Sequence, residues 1–326
     1  MPQNIFSGFV VSLIALPLGL GLAIASEAPP LAGIIAAVAG GVVVSIFGGS
    51  HVTIAGPGNG LVIVLLSAIT TLGGGNLYEG YLYTLAAIIF SGVLLFLFGI
   101  LRLGAMSEFF PATALQGMLA AIGVGILAKQ FHIMLGIRSV SGGTIEQLLA
   151  IPDSFLNFLA FHPFSGILGF LSLVFLFLYS RIRNPYFHLI PAPMWVVVVS
   201  IAVGYYYNLI LKQPTPIDPE LLIKIPDQLF TSLPRPNFNK WFDLNFLGVV
   251  LSITLVANIE SLLSIKAVDK LISKKRRSNV NKDLRALGLA SIVSGFLGGL
   301  NVVTVIARSS VNVNNGGSNR SANFFH

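Results

Sequence analysis

The stretch NVVTVIARSSVNVNNGGS, Asn301 to Ser318, decides the fold. A short β-branched run, Val302 to Ile306, gives way to Ala307-Arg308-Ser309-Ser310, where the chain turns helical with a guanidinium in the first turn. Nearly everything before it consists of long apolar segments, so an arginine at this place is costly unless it has a partner or a task. The position suits the reception of an anion inside a membrane.

The composition around this stretch supports that setting. Hydrophobic residues make up 55% of the 326 and charged residues only 10%, with a mean hydropathy of +0.86. Soluble domains carry about 25% charged residues, so the chain is expected to be a multispanning membrane protein. With no cysteine there is no disulfide framework and no thiolate metal site. The net charge of +7 would suggest nucleic acid in a soluble chain. In a membrane protein the placement of charge matters more than its sum, and no nucleic-acid partner is expected. Ile5 to Ala25 lacks a basic leader and is read as a mature helix rather than a signal peptide.

A spanning helix needs about 20 mostly apolar residues. Ile5 to Ala25, Leu31 to Gly48, Val52 to Leu72, Gly80 to Leu101, Pro111 to Ala128, Phe164 to Ser180, Met194 to Leu211, Leu244 to Ile265 and Leu284 to Leu300 each qualify, and the opening stretch begins a tenth span. If the N-terminus is cytoplasmic, the inner loops hold Arg102, Arg181, Arg183, Lys266, Lys270, Lys274, Lys275, Arg276, Arg277, Lys282 and Arg285 against only Glu108, Asp269 and Asp283. That asymmetry follows the positive-inside rule. Lys274 to Arg277 reads as an anchor facing anionic lipid. Two outer loops are long: 130–163, whose IEQLLAIPDSFLNFLAF suggests an interfacial helix, and the proline-punctuated 212–243. Small-residue patterns at Gly33, Ala37 and Gly41, and at Gly117, Ala121 and Gly125, suggest close helix packing.

The third segment has the plan of the tenth. His51 to Ala55 reads as extended, and Gly56-Pro57-Gly58-Asn59-Gly60 opens a helix, with proline suited to a first helical position. The irregular span is number three counting from the first segment and again number three counting from the eighth. Two sets of seven spans run in opposite orientations because seven is odd, which is the arithmetic of an inverted repeat. Interrupted segments at matching places in the two halves point to a transporter site.

Two helix N-termini meeting at bilayer depth present free N–H groups and about half a positive charge each. With Arg308 added, the site is electropositive and rich in donors, and an anion is its natural occupant. Within the predicted spans one carboxylate stands out, Glu260, with Ser264 one turn on at i+4. Arg308 is its expected partner; coordination of Na⁺ with Ser264, or uptake of a proton, are the other roles open to it. His51, at the head of the third segment, is open to two readings, a proton relay and, more commonly for a lone histidine at a segment end, an interfacial residue. The sequence offers no paired carboxylates, nucleophile elbow or metal-ligand cluster, so no enzyme activity, metal site or cofactor is expected beyond Na⁺ as a coupling ion.

The chain resembles the SulP family of inorganic anion transporters. The resemblance rests on ALPLGLGLAIASEAPPLAGIIAAVAGG in the first two spans, HVTIAGPGNG at the third, NIESLLSIKAVDK with NKDLRALGLASIVSGFLGGL at the eighth and ninth, and VVTVIARSSVNVNNGG at the tenth. It implies an all-α polytopic fold of 7+7 inverted repeats with core and gate domains, short extended pieces in spans 3 and 10, and a homodimer. Residues 1–211 would be the first repeat, 212–243 an extracytoplasmic loop, and 244–326 spans 8 and 9 with the beginning of 10. The last spans and a STAS domain would lie outside this chain. The substrate site would comprise Gly56, Pro57, Gly58 and Asn59 from span three and Ala307, Arg308 and Ser309 from span ten, with Glu260 and Ser264 for ion coupling. Pro17 is followed by Leu18, where the family usually has a polar residue.

The function this implies is secondary active transport of a small inorganic anion, of the bicarbonate or sulfate class, by alternating access with Na⁺ or H⁺ coupling. The expected place is a bacterial inner membrane, among its lipids, with the N-terminus cytoplasmic. A nucleobase:cation symporter of the same fold and a non-transporting membrane scaffold are the alternatives.

Overall fold

The computed structural model describes residues 2–104, 112–137, 143–161, 163–179, 181–182, 190–212, 214, 216–219, 222, 233–271 and 277–326. They form two compact units, Met1–Leu119 with Ile225–His326, and Ala120–Lys224. Lys274, Lys275 and Arg276 of the basic run lie outside the described residues, as do 213, 215, 220–221 and 223–232 of the 212–243 loop.

In the first unit, α1 (Pro2–Ala25) and α2 (Leu31–Phe47) precede a three-residue strand, β1 (Ala55–Pro57). A 3₁₀ turn, Asn59–Leu61, then leads into α3 (Val62–Gly73) and α4 (Leu77–Ile100). The later part of the chain has the same order: α10 (Leu244–Leu271), α11 (Val280–Phe296), β2 (Val302–Thr304) and α12 (Ile306–Asn314), followed by the short α13 (Ser321–Phe324). Because in lipid the surroundings are as apolar as the helix faces, close backbone packing rather than burial from water holds such helices together. Glycines mark the crossings. A Cβ on Gly92 of α4 would stand 2.7 Å from the Gly288 carbonyl oxygen of α11. Gly33 of α2 meets the Gly19 carbonyl of α1 in the same way, as its small-residue pattern predicts. A Cβ on Gly117, by contrast, would meet nothing within 4 Å among the described residues.

The core runs along α3 and α4, where Leu61, Leu65, Ile69 and Leu72 join Tyr81, Leu85, Ile88 and Leu95, and Phe246, Val250, Leu284 and Leu287 from α10 and α11 complete it. Polar ties close its ends. Tyr81 donates to the Gly298 carbonyl at 2.5 Å, and Lys240 Nζ donates to the Leu72 carbonyl at 2.7 Å, near the C-terminus of α3. In the first turn of α11, Asp283 accepts from Gly49 N at 2.7 Å, Ser50 N at 3.0 Å and the Ser50 hydroxyl, fixing the chain between α2 and β1.

The second unit contains most of α5 (Ala112–Met134), with α6 (Thr144–Leu149), α7 (Ile151–Phe161), α8 (Pro163–Tyr179) and α9 (Ala192–Tyr205), which ends in a π-turn at Tyr206–Ile210. Two short helices therefore stand where one interfacial helix was expected. Buried His132 joins them to α5, with Nδ1 2.8 Å from Ser154 Oγ and Nε2 2.9 Å from the Gln147 carbonyl oxygen. A carbonyl only accepts, so Nε2 carries a proton, and in the neutral ring Ser154 donates to Nδ1.

By length and composition, α1, α4, α10 and the Ala192–Ile210 helix can each cross a bilayer, while α2 and Asn59–Gly73 are apolar but shorter. Span bounds shift by a few residues. α5 runs on to Met134 rather than Ala128 and α10 to Leu271 rather than Ile265, while α11 starts at Val280 rather than Leu284 because Asn279 caps it, accepting from Lys282 N at 3.1 Å.

Candidate functional site

β1 and β2 pair antiparallel, with Ala55 opposite Thr304, Gly56 opposite Val303 and Pro57 opposite Val302. The pairing gives the two interruptions a shared structure: each strand supplies part of the other's hydrogen bonding where no helix can, as backbone at membrane depth requires. It also corrects the position of Pro57, which lies in β1 rather than at the first turn of a helix. Its fixed φ suits an extended residue as well as a helical one. Gly58 remains extended (φ −91°, ψ 140°), and helical geometry begins at Asn59. The tenth segment behaves as its sequence predicts, with Val305 extended and α12 starting at Ile306.

Both helix starts lack a side-chain cap at their N-cap residues, Gly58 and Val305. Donors at the two N-termini are therefore left for other partners. Asn59, Ile306 and Ala307 are exposed there, while Gly56, Pro57 and Gly58 are buried in the ribbon.

Arg308 is the largest fully buried side chain of the described residues, at 0% exposure. It lies against Gly56: a Cβ on that glycine would be 2.5 Å from Nη1. Nε, Nη1 and Nη2 have no hydrogen-bond partner among the described residues. Glu260, 9% exposed on α10, is not the partner expected for it. The Glu260 carboxylate turns instead to the start of the helix after Gly58, where Oε1 accepts from Gly60 N at 3.3 Å. Its Oε2 would be 2.7 Å from a Cβ on Gly58 and has no hydrogen-bond partner among the described residues. A carboxylate gains from free N–H groups and the positive end of a helix, which accounts for this choice. The two glycines thus leave room for opposite charges at neighbouring places along one strand.

Ser264 is buried one turn from Glu260. Ser309 is buried as well, but its hydroxyl is engaged: it accepts from Ile54 N at 2.9 Å and donates to the Val305 carbonyl at 2.7 Å. Sequence reading missed Asn312 and Asn323, which bind the third segment's backbone, and Asn301, which is fully buried with neither side-chain polar atom partnered among the described residues. The available signal was the density of asparagine between Asn301 and Asn323 within an otherwise apolar chain.

Comparison with known proteins fits this geometry. The chain is 28% identical over 318 residues to YvdB of Bacillus subtilis (strain 168), a candidate sulfate transporter by name, with 96% of the chain and 56% of YvdB covered. It is 26% identical over 319 residues to the bicarbonate transporter BicA of Picosynechococcus sp., covering 96% of the chain and 54% of BicA. The chain thus spans about half the length of these relatives. Among solved structures, the transmembrane domain of a cyanobacterial BicA superposes with a TM-score of 0.82 at 24% identity, over 99% of this chain and 79% of that one. SLC26A9 superposes with a TM-score of 0.79 at 16% identity, over 99% and 52%. The chain therefore has the inverted-repeat membrane fold read from its sequence. A family model described as the sulfate permease family matches residues 1–326, so this integral membrane protein belongs to that family.

Proposed function

We propose that the whole protein is a secondary transporter of a small inorganic anion of the bicarbonate or sulfate class, working by alternating access. Its binding site would lie between the N-termini that follow β1 and β2, formed by Gly56, Pro57, Gly58, Asn59, Ala307 and Arg308. The observation that carries this reading is the Arg308 guanidinium, buried and without a hydrogen-bond partner among the described residues. A positive group in the first turn of a helix opposes the helix dipole, and a desolvated charge without a partner is strongly unfavourable. An anion at the two N-termini relieves both costs. The names of YvdB and BicA support the same substrate class.

Glu260 and Ser264 are assigned to coupling by Na⁺ or H⁺, because Glu260 Oε2 is buried without a partner among the described residues. A homodimer in a bacterial inner membrane, N-terminus inside, completes the proposal.

Uptake of labelled sulfate, bicarbonate and uracil by proteoliposomes of the whole protein tests the reading. Anion uptake is expected, with at least tenfold weaker apparent affinity in Arg308→Ala. Uracil uptake without anion uptake would replace the anion with a nucleobase. Glu260→Gln is expected to abolish dependence of uptake on the Na⁺ or pH gradient, and an unchanged dependence would remove Glu260 from coupling.

A further inference from the structure

The backbone leading into β1 is held mainly by side chains that lie more than 250 positions later in the chain. Asn312 Nδ2 donates to the Val52 carbonyl at 2.7 Å, Ser309 Oγ accepts from Ile54 N at 2.9 Å, and Asn323 Oδ1 accepts from Ala55 N at 2.9 Å. Val305 N adds a backbone bond to the Ile54 carbonyl at 2.9 Å. Each side chain has a second attachment. Asn312 Oδ1 accepts from the Ser7 hydroxyl of α1 at 2.7 Å, and Asn323 Nδ2 donates to the Gly40 and Gly41 carbonyls of α2 at 3.3 and 3.4 Å. Ser309 Oγ also donates to the Val305 carbonyl at the start of its own helix. All three are almost completely buried, at 0%, 1% and 2% exposure for Ser309, Asn312 and Asn323. None points a free polar atom toward the exposed helix starts at Asn59 and Ala307.

β2 is held differently. Val302 N donates to Ser291 Oγ at 3.1 Å and Thr304 N to Ser261 Oγ at 3.4 Å, so its partners come from α11 and α10, just before it in sequence. Among the described residues, β1 takes its side-chain ties from the tenth segment, whereas β2 takes none from the third.

We infer that Ser309, Asn312 and Asn323 are positioning residues that lock the third segment onto the tenth, so that the two helix N-termini present their donors to the anion as one rigid unit. This rests on the binding site proposed above and reassigns Ser309 from ligand to tether. A bound anion is sensitive to the separation and direction of its donors, because hydrogen bonds weaken steeply off their preferred geometry. Loosening the lock should therefore weaken binding more than it slows the movement that follows.

The test uses the whole protein in proteoliposomes, with wild-type anion uptake established first; failure at that step concerns the transport reading and not the lock. Asn312→Ala and Asn323→Ala are expected to raise the anion KM at least tenfold with turnover at saturation within threefold of wild type. Ser309→Ala should do the same and Ser309→Thr, which keeps the hydroxyl, should restore KM to within threefold. Equal loss in KM and turnover, or a KM unchanged in all three alanine variants, overturns the inference. If the variants do not accumulate, hydrogen exchange on the wild-type protein decides. Residues 52–55 should be protected at least a hundredfold over an unstructured peptide, both with and without sulfate. Exchange there as fast as in an exposed loop overturns the lock.

Discussion

At Arg308 the direction of a stability change reports on binding. Arg308 has no hydrogen-bond partner among the described residues, and a buried guanidinium so placed lowers the stability of the anion-free protein, so replacing it with an apolar side chain of similar length removes a cost. Arg308→Met is expected to melt several degrees higher than wild type without anion. Wild type, in turn, should gain about 2.7 kcal/mol at an anion concentration one hundred times its Kd, and the variant should gain nothing. Thermal unfolding in detergent with and without sulfate or bicarbonate measures both effects. A variant that melts lower without anion, or still responds to it, would mean that the guanidinium has an unrecognised partner. The presence of Arg308 and Glu260 at the site was legible in the sequence because charges inside apolar segments are rare and conspicuous. Their relation was not. Opposite charges suggested a pair, whereas the Gly60 N–H offered the carboxylate a donor that no sequence spacing displays.

Among the elements, the interruptions are set by what surrounds them. The loop between α2 and β1 is fixed by Asp283, which accepts from two backbone N–H groups and a hydroxyl at the start of α11. Asp283→Ala leaves those donors buried without an acceptor, at about 1–3 kcal/mol each. The variant should unfold several degrees below wild type, and Asp283→Asn, which retains a carbonyl acceptor, should recover part of the loss. Equal melting temperatures for wild type and Asp283→Ala would show that water replaces the carboxylate. The two breaks could be read from β-branched runs followed by Gly-Pro-Gly or Ala-Arg-Ser. The boundary at the third could not, since proline is compatible with both a strand and a helix start and only the pairing with Val302 distinguishes them. Asn312 and Asn323 escaped notice for a related reason. Bonds that join residues 52 and 312, or 55 and 323, leave no periodic trace in the chain.

For the molecule as a whole, the arrangement of basic residues carries a topological expectation. Arg102 follows α4 and Lys282 lies in the first turn of α11, and the two regions meet where Gly104 N donates to Asn281 Oδ1 at 3.0 Å. Glu79 lies in the first turn of α4, at the opposite end of its 24 residues. At 1.5 Å per residue that helix is about 36 Å long, enough to put its ends on opposite sides of the hydrocarbon layer. These 326 residues contain no cysteine, so single cysteines introduced here, with any cysteine elsewhere in the protein replaced by serine, give a clean readout of sidedness. In intact cells, Glu79→Cys should react with a membrane-impermeant maleimide, and Lys282→Cys should react only after the membrane is opened. The reverse pattern would invert the proposed orientation. The fold was legible at this scale because hydropathy marks spans and an odd number of spans per repeat dictates inversion.

The pairing of Ala55 with Thr304 also bears on how the protein is made. At about 5–20 residues per second, a ribosome needs roughly 12–50 s to travel from one strand to the other. During that interval the backbone of the third segment lacks its eventual partners, in an environment that penalises every unpaired amide. Early helices therefore have to wait in a provisional arrangement, shielded by water, by one another or by the insertion machinery. Synthesis reaches the point of commitment only when β2 arrives and the first strand can leave that shelter.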